Sequence, residues 1–193
     1  VGGDFFDWIE VDADTLGVAV ADASGHGLPA ALQARDVATG LRMGVARDLK
    51  IPRTVEKLNQ VIHRSGLVTR FISMFYGELN LNGNLLYINA GHPPPQLLDD
   101  RGFHELSMGG LILGPDPKAT YKQGFAHLDR GALLALYSDG VVERGVGEGG
   151  GPGGFGVERL REWMEEWREG PVEPAIEDLF GRLQAFGDGG PFD

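Results

Sequence analysis

Asn82-Gly83-Asn84 separates two apolar runs, Phe71 to Leu81 and Leu85 to Ala90, in which the hydrophobic residues recur with a period of two. An Asn-Gly pair tolerates the positive φ that a tight turn between twisted antiparallel strands demands. The chain therefore contains a hairpin here, and its neighbours must be compatible with an antiparallel sheet. Just upstream the period is helical. From Leu28 to Asp48 the apolar residues Leu32, Val37, Leu41 and Val45 fall on one stripe, and Pro29 sits where a first helical turn accepts it. A second helix runs from Pro52 through His63, with Val55, Leu58, Val61 and Ile62 on one face, and Gly66 stops it.

Before these helices, Phe5 to Val11 extends as a strand, Asp12 to Asp14 turns, and Thr15 to Asp22 reads as a short buried strand. Downstream of the hairpin, Pro93-Pro94-Pro95 breaks the alternation. Gln96 to Leu98 and Phe103 to Leu106 form a further hairpin, and Tyr121 to Leu128 is expected to pair with Ala132 to Tyr137 across Asp129-Arg130-Gly131. Gly145 to Gly156 is a glycine-rich loop, and Val157 to Arg168 and Val172 to Phe186 read as helices. This order describes an α+β protein with predominantly antiparallel strands, not the alternation of a doubly wound sheet. The 193 residues suit one domain spanning 1–193. The opening Val1-Gly2-Gly3-Asp4 reads as the middle of a strand, so the expectation is a domain from a longer, multidomain chain.

With 17 basic against 28 acidic residues and a net charge of −11, the chain lacks the basic footprint of a sequence-independent nucleic-acid binder or of a protein docking on anionic lipid. The absence of cysteine excludes disulfides, thiolate metal sites and cysteine nucleophiles, and fits a reducing, cytoplasmic setting. No stretch reaches the roughly 18 apolar residues of a membrane span, so no direct membrane insertion is expected.

Chemistry is concentrated in the aspartates. Asp4 follows two glycines, Asp22 ends a buried apolar strand, Asp139 ends the run Leu133 to Ser138, and Asp193 follows Gly189-Gly190-Pro191-Phe192. A carboxylate at the tip of a buried strand is costly unless compensated, and oxygen-only donors favour magnesium or manganese. Each aspartate alone also fits a turn or a helix cap, and Asp22 is a candidate cap for the helix at Leu28.

Five segments occur in order: Val1-Gly-Gly-Asp-Phe-Phe-Asp7, Ala21-Asp-Ala-Ser-Gly-His-Gly-Leu-Pro-Ala-Ala31, Tyr87-Ile-Asn-Ala-Gly-His-Pro-Pro-Pro95, Tyr137-Ser-Asp-Gly-Val-Val-Glu143 and Phe155-Gly-Val-Glu-Arg-Leu160. Together they resemble the sporulation and sigma-factor-regulator branch of the bacterial PPM (protein phosphatase 2C-like) serine/threonine phosphatases. The resemblance implies a sandwich of two antiparallel sheets flanked by helical layers, with two divalent cations, Mn2+ or Mg2+, at one end. It implies that Asp22 bridges both metals with the Ala23 carbonyl as a further ligand, that Asp4 belongs to the first metal's neighbourhood, and that Asp139 and Asp193 bind the second. Asp22, Asp4 and Asp139 are thus the catalytic candidates. The implied reaction is in-line attack on a phosphoserine or phosphothreonine phosphorus by a water that the metals acidify.

The resemblance further implies a phosphorylated protein substrate, a STAS-type anti-sigma-factor antagonist, and an upstream sensor domain or regulator; a homodimer through regions beyond this segment is compatible with it. The alternative is a catalytically silent PPM fold used as a regulated binding module. His26 and His92 are each either a general acid for the leaving alkoxide or an organiser of its glycine-rich turn. Glu143 either supports the ligands or is exposed. Asp7 alternates with Phe6 and is expected to face solvent. Trp163 and Trp167, at i and i+4, are expected in a core stripe. The small residues Ala30, Ala31, Ala34 and Ala38 would let the first helix lie close to the sheet.

Overall fold

The computed structural model describes residues 3–47, 50–65, 71–145 and 153–187. The chain forms two compact units, one from residues 1–94 and 106–128, the other from 95–105 and 129–193.

The first unit is built on a six-stranded sheet. β1 (Asp4–Asp12) pairs antiparallel with β2 (Thr15–Ala23), β2 with β3 (Ile72–Asn80), and β3 with β4 (Asn84–Ala90). The outer edge of β4 is shared: β8 (Gly124–His127) takes its first half antiparallel, and the short β7 (Gly109–Gly110) takes its end in parallel. The β3–β4 turn is the expected one at Asn82-Gly83. Asn82 Oδ1 accepts from the Asn84 amide at 2.9 Å, and the Gly83 carbonyl accepts from the Leu128 amide at 2.8 Å.

Two helices cover one face of this sheet. α1 (Leu28–Val45) and α2 (Ile51–Arg64) bury Ala30, Val37, Leu41, Ile51, Val55, Leu58 and Ile62 against Ala19, Ala21 and Ala23 of β2 and Ile72, Met74 and Tyr76 of β3. The alanines of β2 leave room for α1. On α1 the buried series is Ala30, Gln33, Val37, Leu41 and Gly44, an unbroken i, i+3, i+7 stripe. Leu32, expected on that stripe, lies about 100° around the helix from Gln33 and is 44% exposed. Val61 is likewise exposed. Of the four small residues singled out on α1, only Ala30 is fully buried. The tight contact is made later in the helix, where Gly44 lies against Thr54 of α2.

Asp7 does not face solvent. It shares the helix-side face with Phe5 and Ile9, and Arg42 of α1 donates to it through Nε at 3.0 Å and Nη2 at 2.7 Å, so that Phe6 is the exposed residue. The alternation was correctly spaced, but which face is buried depended on a helix 35 residues away in sequence.

The second unit holds a three-stranded sheet with β5 (Gln96–Asp99) between β6 (Gly102–Glu105) and β9 (Leu133–Ala135). The β5–β6 hairpin is as expected. The pairing of 121–128 with 132–137 is not: β8 joins β4 of the first sheet and β9 joins β5 of the second. The turn at Asp129 exists, with Ala132 N donating to Asp129 O at 3.0 Å, but the strands on its two sides leave it for different sheets. α4 (Gly156–Trp167) and α5 (Val172–Phe186) pack Leu160, Trp163, Met164, Leu179 and Leu183 with Leu98, Tyr137 and Phe155. Trp163 is buried and donates to the Ala175 carbonyl at 3.1 Å, and Trp167 donates to Asp178 at 2.9 Å, which ties α4 to α5. Both tryptophans serve the core, as expected.

Candidate metal centre

Asp4 on β1 and Asp22 on β2 are directly opposite in the antiparallel register, and Asp22 is in turn opposite Ser73 on β3. Partners in such a row share a face of the sheet, with Cβ atoms about 4.5–5.5 Å apart. Ala21 and Ala23, the neighbours of Asp22, are buried on the helix side, so the row Asp4, Asp22, Ser73 lies on the other face. Two like charges placed opposite each other repel. A hard cation beside them turns that repulsion into attraction.

The neighbourhood of Gly3 shows where oxygen donors converge. A Cβ built on Gly3 would lie 2.7 Å from the Ala23 carbonyl oxygen, 3.0 Å from Asp22 Oδ1 and 3.5 Å from the Gly25 carbonyl oxygen. Any side chain here would occupy a cradle walled by a carboxylate and two carbonyls. The cradle is fastened from behind. The Ala23 amide donates to the Gly3 carbonyl at 3.1 Å, the Ser24 amide to the Phe71 carbonyl at 2.9 Å, and the Phe71 amide returns a bond to Ser24 Oγ at 2.9 Å. Asp22 is not a helix cap: α1 begins after Gly27, and no side chain caps it.

Asp139 belongs to the second unit. The strand before it stops at Ala135, not Ser138, and Asp139 is the exposed first residue of the four-residue helix α3 (Asp139–Val142). Glu143, which follows that helix, is exposed. Asp193 lies outside the described residues. His26 is exposed in the loop after Asp22. His92 is 4% exposed, and its ring Nδ1 lies 2.9 Å from Ser73 Oγ. Among the described residues no group of three or more His, Cys, Asp and Glu side chains is assembled for a metal. The first unit supplies two carboxylates with backbone carbonyls beside one of them, an all-oxygen donor set that fits Mg2+ or Mn2+ in kind.

The family model for Stage II sporulation protein E (SpoIIE) matches residues 12–193. The chain belongs to the SpoIIE family. Phosphoserine phosphatase RsbU of Bacillus subtilis (strain 168) is 31% identical over 146 residues, covering 74% of this chain and 43% of RsbU. Among solved structures, that of the RsbU and RsbW domains of Rv1364c from Mycobacterium tuberculosis aligns with a TM-score of 0.79 at 25% identity, over 96% of this chain and 51% of that one. The SiaA-PP2C domain of Pseudomonas aeruginosa aligns with a TM-score of 0.83 at 22% identity, over 100% and 77%. This SpoIIE-family chain thus has the PP2C phosphatase fold, the α+β class expected. It spans under half the length of the curated relatives it matches.

In this SpoIIE-family domain, the sequence singled out Asp4 and Asp22, which the strand register sets opposite each other, but not the residues around them. Gly3 and Ser24 entered only as parts of motifs, and Ser73 was not singled out at all. For Ser73 a signal existed: it alternates with the core positions Ile72 and Met74, so a polar side chain had to emerge on the opposite face of a central strand.

Proposed function

We propose that this SpoIIE-family domain is a metal-dependent protein serine/threonine phosphatase, with a phosphorylated STAS-type anti-sigma-factor antagonist as its substrate in the cytoplasm. The observation that carries the reading is the oxygen cradle over Gly3, formed by Asp22 and the carbonyls of Ala23 and Gly25, with Asp4 opposite Asp22 on the neighbouring strand. The likeness to the phosphoserine phosphatase RsbU supports the activity.

In this reading Asp22 would help to hold two divalent cations, Mn2+ or Mg2+, with the Ala23 carbonyl and Asp4 as further donors for the first and Asp139 and Asp193 as donors for the second. Bound cations supply Lewis acidity toward a water nucleophile and toward the phosphoryl oxygens. The chain's own task is to hold that geometry. The strand register aligns Asp4 with Asp22, and the Ser24–Phe71 clamp fixes the loop that carries the Ala23 carbonyl. Water forms the new P–O bond, the serine or threonine oxygen leaves with a proton, and no covalent enzyme intermediate is required. That fits a chain without cysteine. An upstream sensor domain would regulate the site through the α1–α2 layer, which packs directly behind β2.

The test is phosphate release from a phosphoserine peptide, then from the phosphorylated antagonist, with Mn2+ and after EDTA. Release that requires Mn2+ and stops with EDTA is expected. Its absence at saturating Mn2+, with the fold intact, overturns the enzyme reading in favour of a catalytically silent binding module.

A further inference from the structure

The helical layer of the first unit carries a groove open to solvent. α1 and α2 come close where α1 has no side chains: a Cβ on Gly40 would lie 2.7 Å from Leu58 Cδ1, and one on Gly44 would lie 2.3 Å from Thr54 Cγ2. The helices touch along this line, and longer side chains stand on either side of it. The groove has a volume of about 400 Å3, and its lining includes Met43 and Val61, 54% and 56% exposed, and the exposed Arg47 and Lys57. Residues 42–64 hold six of the chain's 17 basic side chains against two of its 28 acidic ones, a basic patch on a chain of net charge −11. Neither Arg47 nor Lys57 has an ion pair among the described residues, and Asp36, the acidic residue of the lining, is itself 3.2 Å from Arg35. The complement stands on α5 in the second unit. Val172, Ile176 and Phe180 recur at i, i+4 and i+8 and are 65%, 42% and 52% exposed, beside the buried stripe of Ala175, Leu179 and Leu183. Glu173 and Glu177 each follow a stripe residue by one, about 100° further round the helix. Both are exposed, with no ion pair among the described residues. The stripe from Val172 to Phe180 and the lining of α1 from Asp36 to Gly44 each run roughly 12 Å along their axes.

We propose that α5 of one copy docks in the α1–α2 groove of a second copy, with the Val172, Ile176, Phe180 stripe against Met43 and Val61 and with Glu173 and Glu177 facing Arg47 and Lys57. Single exposed hydrophobic residues are ordinary. Here an apolar groove lined by cations and an apolar stripe flanked by anions, of matching length, occur on the same chain. An amphipathic helix laid in a groove is an established mode of recognition. The two surfaces differ, so the contact is head-to-tail, and each copy brings one of each. One helix in one groove is a small contact beside the roughly 1,200–2,000 Å2 of a standard interface. The association is therefore weak and reversible, and salt loosens it by screening the exposed charges.

Sedimentation velocity of the chain over a concentration series reads the association. The wild type is expected to gain mass with concentration at low salt and to lose that gain at high salt. Arg47→Glu/Lys57→Glu reverses the charge of the groove, and Glu173→Lys/Glu177→Lys reverses that of the stripe. All four side chains are exposed, so each variant should melt as the wild type does. Each is expected to associate about tenfold more weakly or worse. Mixed together the two variants recover association, because each offers the other a surface of opposite sign. Lys118→Glu/Lys122→Glu changes the net charge as much as the groove variant does, away from the groove, and should associate as the wild type does. A wild type that stays monomeric at every concentration overturns the proposal, and so does a groove variant that associates like the wild type. A loss in the Lys118→Glu/Lys122→Glu variant equal to that in the groove variant reduces the effect to net charge and overturns it as well. A loss in the groove variant with none in the stripe variant overturns α5 as the occupant.

Discussion

Replacing Gly3 with alanine tests the cradle with a single methyl group. The new Cβ would meet the Ala23 carbonyl oxygen at 2.7 Å, whereas carbon and oxygen settle at about 3.3–3.6 Å even in a close C–H···O contact. The two strands must therefore separate locally by roughly 0.6 Å or more. β2 cannot retreat, because Ala21 and Ala23 are each 1% exposed and packed on the helix side. The end of β1 moves instead, and the Ala23 N to Gly3 O bond of 3.1 Å is stretched. Overpacking of this kind costs about 1–3 kcal/mol, and the stiffer unfolded chain returns about 0.4–1 kcal/mol. A net loss of about 1–2 kcal/mol corresponds to a melting temperature lower by roughly 2–8 °C in a chain of this size. The sharper readout is metal. A displacement of roughly 0.6 Å exceeds the tolerance of about 0.2 Å on metal–ligand distances, so Mn2+ affinity measured calorimetrically falls tenfold or more. Wild-type Mn2+ affinity in Gly3→Ala, whatever its melting temperature, refutes the cradle as a cation site.

Asp22→Asn keeps the shape and removes the charge facing Asp4, so the apo protein should melt at the same or a higher temperature while activity falls by several orders of magnitude; retention of more than a tenth of wild-type turnover at saturating Mn2+ contradicts a shared carboxylate. Asp139→Asn should reduce the rise in melting temperature that Mn2+ confers and leave the metal-free melt almost unchanged, and equal metal stabilisation of the two proteins removes Asp139 from the ligand set. Hydrogen bonds from the Arg101 side chain, opposed by burial and reinforced by the Arg101 amide and His104, hold the Asp99 carboxyl well below the usual carboxylate range. A depressed folded-state value means stabilisation that is complete above the unfolded Asp value of about 3.9 and is lost as pH falls below it. Acid titration of unfolding should therefore be less steep in Asp99→Asn than in wild type below about pH 4, and identical slopes would show that the pair contributes nothing.

Local patterns in the sequence carried most of the elements. The Asn82-Gly83 turn, the β5–β6 hairpin and α5, with its limits at Val172 and Phe186, stand where turn chemistry and helical period put them. The errors of face and pairing came from partners distant in the chain. Asp7 looked solvent-facing by alternation, until Arg42 of α1 made the opposite face of β1 the buried one. The run at 121–128 looked like half of a hairpin, because Asp129-Arg130-Gly131 is good turn chemistry. Yet β4 offered an unpaired edge, and the Leu128 amide is held by Gly83, across the Asn82-Gly83 turn. Local turn signals decide where a chain reverses, not which edge it reaches afterwards.

The same division applies within the candidate site. Asp4 and Asp22 were legible because a carboxylate at a strand end is chemically conspicuous. What aligns them is register: nine residues of β2 pair without interruption from Thr15 opposite Asn80 to Ala23 opposite Ile72, and the β1 pairing brings Asp4 opposite Asp22. A slip of one residue on β2 would turn Asp22 into the helix-side core and expose Ala21 and Ala23. The alanines at 19, 21 and 23 resist such a slip, because only small side chains let α1 seat on that face, and a buried aspartate there would lack room as well as solvation. The hydrophobic core behind β2 therefore does chemical work at a distance. By fixing which face each residue of β2 presents, it holds the Asp22 carboxylate level with Asp4 on one side and Ser73 on the other.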